Sequence, residues 1–245
     1  MKHRFTMAEL FVVTGCLAVL ASLTAPATAR AREIAIRTQC ASNLKQSVRA
    51  MHSYSMGYDG WVQLFSDGYY SWWKTPGMPE ELGLDVTTNL NLLDNRKITY
   101  CPVGGNNPDA WITNVCYGTP HAIGETSNDF NRIETVEYTT WTPHWDRVRV
   151  NLLPDASRYV ILADSAYGPQ FASGYVHQKA GDQCPIFYRR NSTFSLICQR
   201  HLGEANVGYA DGHVGDTADR LGMWNHSKIG SLVDNTGLTV TNFSN

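Results

Sequence analysis

Residues 5–25, FTMAELFVVTGCLAVLASLTA, constrain the fold more than any other segment, because Glu9 is the only charge in the run. As a helix the run is about 30 Å long, the thickness of a bilayer's hydrocarbon core. A short basic head, Met1-Lys2-His3-Arg4, precedes it, and Pro26, Arg30, Arg32 and Arg37 follow. With basic residues on both flanks, charge does not set an orientation. No second segment is as long and as apolar, which excludes a polytopic channel or transporter.

The residues leave three readings of this N-terminus open. A basic head, an apolar run and Ala27-Thr28-Ala29 satisfy the small-x-small rule of a cleaved secretory signal. Val13-Thr14-Gly15-Cys16 has the outline of a lipoprotein box that would acylate Cys16. The third reading keeps the run as a membrane helix. A carboxylate there costs a few kcal/mol toward the bilayer centre and marks a functional residue, whereas a disposable signal has no use for Glu9. Beyond Pro26, the residues Ile36, Cys40, Leu44, Val48, Met51 and Ser55 recur at spacings of three and four. That is one helix face, opposite Arg37, Asn43, Lys45, Gln46 and Arg49. Residues 5–29 and 30–57 therefore predict one long rod bent at Pro26.

Arg4-Phe5-Thr6-Met7-Ala8-Glu9-Leu10 ahead of an apolar run resembles the processing site of type IV prepilins and type II secretion pseudopilins. The resemblance implies that residues 1–4 are a leader. A prepilin peptidase would cut before Phe5 and methylate its new amine. Glu9, the fifth mature residue, would then pair with the Phe5 amine of a neighbouring subunit during assembly. Arg4 stands where that family usually has glycine, and Pro26 falls where many type IV pilins bend their helix. Three internal segments match too: residues 37–46 (RTQCASNLKQ), Tyr58-Asp59-Gly60-Trp61 and Tyr100-Cys101-Pro102. Near the C-terminus, His201 is followed, after nine residues, by Asp211-Gly212-His213-Val214. Together these resemble a pseudopilin-like group common in planctomycete and lentisphaeran bacteria.

Residues 58–245 read as a β-rich head, with candidate strands at 97–101, 135–141, 147–153, 158–163, 186–189, 193–198 and 206–210. These segments are short, rich in Val, Ile, Tyr, Thr and Phe, and bounded by Gly, Pro, Asn and Asp. Asp211-Gly212 is a hairpin signal inside the 201–214 signature. A long N-terminal helix packed on an antiparallel β-rich head is an α+β pattern, in agreement with a pilin-like architecture. With 20 basic against 22 acidic residues, no basic surface invites nucleic acid.

Chemistry is sparse. The chain has no G-x-S-x-G elbow, no H-E-x-x-H, no P-loop and no G-x-G-x-x-G. The reading is therefore of a non-enzyme without a resident cofactor. A metal ion, the one cofactor the residues suggest, would take His201, Asp211 and His213, with Glu204 nearby. The plainer account gives Asp211-Gly212 to a turn and His201 to a hydrogen bond across the hairpin. Asp164, ending Tyr159-Val160-Ile161-Leu162-Ala163, is a ligand or a strand-end cap, and the cap is preferred. Tyr70, Trp72 and Trp73 offer flat rings for stacking on sugars, or else complete a core.

Six cysteines give an odd count outside the apolar run, which holds Cys16. Local loops favour the pairs Cys101–Cys116 and Cys184–Cys198, and Cys40–Cys101 competes, a pairing the resemblance also permits. The combined expectation is a single-pass pseudopilin-like structural subunit at the inner membrane, with its head in the periplasm or on an extracellular fibre. Its partners would be like subunits, the prepilin peptidase, and a secreted cargo or glycan. A secreted or anchored glycan-binding module is the alternative, and a periplasmic metal-dependent hydrolase the weaker one.

Overall fold

Thr6 and Glu9 start the long helix by satisfying each other's backbone amides. The Glu9 amide donates to Thr6 Oγ1 (3.3 Å) and the Thr6 amide donates to the Glu9 carboxylate (2.8 Å), a reciprocal capping box. From this cap α1 runs unbroken over Met7–Gly57, 51 residues, with Pro26 inside it. The computed structural model describes residues 6–66, 72, 98–103, 117–121, 133–136, 145–153, 155–171, 180–184, 186–188, 194–220, 223 and 229–242. Arg4, Phe5, Tyr70, Trp73 and Cys116 lie outside the described residues.

The two halves of α1 have opposite environments. Every residue from 7 to 35 is exposed, and this half contains a window of mean hydropathy 2.0, long and apolar enough to cross a membrane. From Cys40 onward the helix enters the core through Leu44, Val48, Met51 and Tyr54. Of the expected face, Cys40, Leu44, Val48, Met51 and Ser55 are buried, while Ile36 is only half-buried. Asn43 departs from expectation: it was placed on the solvent face, yet it is buried, with its side-chain amide directed at the Tyr100 carbonyl (3.5 Å). Ser47 likewise donates to the Ile98 carbonyl (2.6 Å). Ile98–Cys101 is a turn rather than the expected strand: α1 side chains take the Ile98 and Tyr100 carbonyls, and the Thr99 carbonyl accepts from the Tyr117 amide (2.7 Å).

The head contributes twelve short strands among the described residues. In chain order they are β1 (Trp61–Ser66), β2 (Thr119–His121), β3 (Ile133–Val136), β4 (Trp145–Arg149), β5 (Val160–Ala163) and β6 (Ser165–Tyr167). They continue as β7 (Ile186–Tyr188), β8 (Ser195–Gln199), β9 (Asn206–Tyr209), β10 (Val214–Asp216), β11 (Ser231–Asp234) and β12 (Val240–Asn242). Sheet orders are β1-β4-β3, β10-β9-β5, β12-β11-β8-β6 and β2-β7. Most pairings are antiparallel, but β11 with β8 and β2 with β7 are parallel, so the head is not the purely antiparallel one expected. The expected 147–153 strand is split, since β4 stops at Arg149 and Val150–Leu152 forms a single 3₁₀ turn.

Helix and sheet meet most closely at Gly208. α1 packs mainly on β9 and also on β1, β5 and β10. A Cβ placed on Gly208 would collide with a methyl of Val48, so the missing side chain is what lets the helix lie against the strand. Gly208→Ala is therefore expected to destabilise the full chain by about 1–3 kcal/mol in chemical denaturation. Combined with Val48→Ala it should cost less than the sum of the two single changes, because the clashing methyl is gone.

Candidate metal centre

The break between β5 and β6 places Asp164 at a junction of sheets, since β5 pairs with β9 and β6 with β8. Its amide donates to the Asn206 carbonyl (3.1 Å) and its carbonyl accepts from the Cys198 amide (2.8 Å), so the backbone there is held by both neighbours. The side chain is turned inward and fully buried. It is not the strand-end cap the sequence favoured.

His201 reaches the same point from the β8–β9 turn. His201 and Glu204 exchange both backbone hydrogen bonds at 2.9 Å, and Leu202 and Gly203 occupy the turn at φ 54° and 82°. Two consecutive left-handed residues suit the right-handed twist of a hairpin. Cys40 arrives on the buried face of α1, and Cys101 on the turn that Asn43 and Ser47 hold. One side-chain nitrogen, sulfur or carboxylate oxygen from each of Cys40, Cys101, Asp164 and His201 lies within 4.8 Å of the others. All four residues are at most 1 % exposed.

The contacts inside the group are specific. Asp164 Oδ2 lies 3.1 Å from His201 Nε2 and 3.6 Å from Cys40 Sγ, and Cys101 Sγ lies 3.3 Å from His201 Nε2. The other Asp164 oxygen accepts from Arg200 Nε at 3.1 Å, and Arg200 also donates to the Ser165 carbonyl (3.0 Å). Behind Cys40, the Tyr117 hydroxyl donates to the Cys40 carbonyl (2.9 Å) and sits 3.3 Å from its sulfur. Hydrogen bonding to Cys40, together with burial, pushes the Cys101 thiol far above its usual range. Burial works to lower His201, but Asp164 and Cys101 outweigh it and raise the imidazole to about 9. Two sulfurs, an imidazole nitrogen and a carboxylate oxygen are a donor set that could hold a metal ion. The four side chains are closed off from solvent.

Of the expected set His201, Asp211 and His213, only His201 belongs here. Asp211 and His213 sit at the exposed tip of the β9–β10 hairpin, at the other end of β9, and pair with each other at 2.6 Å. Gly212 makes that tip with φ +94°, and the His213 ring stacks on Tyr209 at 4.2 Å. Glu204 accepts from the Thr217 hydroxyl rather than joining His201. Trp72 is 1 % exposed and donates from its indole to the Tyr117 carbonyl (2.9 Å), so this ring completes the core instead of forming a sugar platform. Cys184 and Cys198 are free thiols, not the expected disulfide. They belong to different clusters, Cys184 with Tyr167 and Ile186, Cys198 with Leu196 and Val233, and burial raises them to about 11 and about 12. Cys40 and Cys101 are also free thiols, though neighbours.

Comparison with known proteins finds no matching family model, no matching characterised protein and no matching solved structure.

Arg200, bonded to Asp164, carries its charge at every ordinary pH. Arg200→Met removes that partner and leaves a buried carboxylate half-satisfied. The expected loss of stability is about 3–5 kcal/mol, read from denaturant unfolding of the full chain.

Proposed function

We propose that the chain is a pseudopilin-like structural subunit, held by the first half of α1 in a membrane or a fibre core, with the β-rich head displayed outside. The observation that carries this reading is the division of one continuous helix: residues 40–55 belong to the head, while residues 7–35 stand clear of it. Leu10, Phe11, Val12, Leu17, Val19, Leu20 and Leu23 form an exposed apolar surface with no partner among the described residues. Such a surface calls for lipid or for helices of other subunits. The partners are then like subunits, the prepilin peptidase that exposes Phe5, and whatever cargo the head contacts.

Glu9 supplies the discriminating test. It caps its own helix through Thr6, and glutamine serves that role as well as glutamate. The pairing with a neighbour's Phe5 amine, by contrast, needs the charge. Glu9→Gln should therefore leave the helix and the membrane association intact while abolishing recovery of assembled fibres from the native host. The wild-type chain should begin at a methylated Phe5 by mass spectrometry. A mature chain beginning at Arg30 would make the apolar run a discarded signal and sink the proposal.

A further inference from the structure

We propose that Cys40, Cys101, Asp164 and His201 bind one zinc ion in a closed tetrahedral site that fastens α1 to the sheets of the head. The donor set is the first ground: thiolate, imidazole and carboxylate are the ligand types that structural zinc takes, and four of them complete its coordination. Spacing is the second. Around an ion with bonds of roughly 2.0–2.3 Å, the ligand atoms of a tetrahedron stand about 3.3–3.8 Å apart. Here Cys40 Sγ to Asp164 Oδ2 is 3.6 Å, Cys101 Sγ to His201 Nε2 is 3.3 Å, and His201 Nε2 to Asp164 Oδ2 is 3.1 Å. Three of the six edges are thus close to what an ion would impose, and all four atoms, drawn from four separate segments, lie within 4.8 Å of one another.

The surroundings are those of a supported site. Arg200 holds the outer oxygen of Asp164, leaving Oδ2 directed at the group, and the Tyr117 hydroxyl lies against the Cys40 sulfur. Partners of this kind orient ligands and tune their basicity. Charge closes as well: two thiolates and one carboxylate are balanced by a divalent ion and Arg200, with His201 neutral and coordinating through Nε2. On binding, each thiol loses its proton to solvent, and His201 gives up its second proton if it carries one. Because no side of the group is open to water, the ion would be structural rather than catalytic.

The rival product is a Cys40–Cys101 disulfide, which an oxidising compartment would favour and which would join the same two segments. One set of measurements separates them. The full chain, purified in detergent without chelator or reductant, should carry about one zinc per chain by elemental analysis. After exchange it should bind Co²⁺ with a thiolate-to-cobalt charge-transfer band and strong tetrahedral ligand-field bands that Zn²⁺ displaces. Cys101→Ala and His201→Ala should each lose the zinc, whereas Asp211→Asn and His213→Gln should keep it. The wild-type spectrum does not depend on whether those variants fold. Zinc-free chain with Cys40 and Cys101 in one disulfide-linked peptide would overturn the proposal. Reduced chain that fails to bind Zn²⁺ or Co²⁺ would overturn it equally, as would zinc that survives Cys101→Ala and departs with His213→Gln.

Discussion

One hydrophobic core of the head is built on the last turns of α1. Leu44, Val48, Met51 and Tyr54 form one core with Val62 and Leu64 of β1, Val148 of β4, and Ile161 and Leu162 of β5. A helix of this length gains little stability from propensity alone, and its buried face is what holds it to the sheets. The closeness of that contact is set by Gly208, where β9 offers no side chain and Val48 occupies the space. The same rigid rod then carries the exposed apolar half outward.

The buried polar group adds a second fastening at the point where α1 first enters the head. Cys40 is the first fully buried residue of the helix, and the group around it gathers the 98–101 turn, the β5–β6 break and the β8–β9 turn. Burying Asp164, Arg200 and His201 together is costly unless each is paired. Here Asp164 divides its two oxygens between Arg200 and His201, so the burial is compensated in detail. The apolar core and this cluster have Cys40 of α1 and Cys101 in common, and the β5 residues of the core lead directly into Asp164.

What the sequence disclosed follows the range of the forces involved. The helix was legible because its signals are local: an apolar run, then Cys40, Leu44, Val48 and Met51 at spacings of three and four. β5, β8 and β9 were legible for the same reason, as short runs rich in Val, Ile and Tyr. The three-residue strands Ser165–Tyr167 and Val240–Asn242 carry too few residues for a pattern, and Ile98–Tyr100 has strand composition but gives its Ile98 and Tyr100 carbonyls to helix side chains. The candidate site was visible only in pieces. In sequence, Cys40 and Cys101 suggest a disulfide, His201 belongs to a hairpin signature, and Asp164 suggests a cap. Nothing local could join them, because Cys40 and Asp164 are 124 positions apart and Cys101 and His201 are 100 apart. Asp211 and His213 are near His201 in sequence, but the length of β9 keeps the two turns at opposite ends, as the plainer turn reading of Asp211-Gly212 has it.

The central claim is that one continuous helix serves two environments, its second half being part of the head's own cooperative unit. Peptide-resolved hydrogen exchange on the full chain in detergent micelles tests this most directly. The account predicts that the amides of residues 40–55 exchange together with those of β5 and β9, only through opening of the whole head. Exchange of residues 40–55 well before β9, as an independently fraying helix, would contradict it.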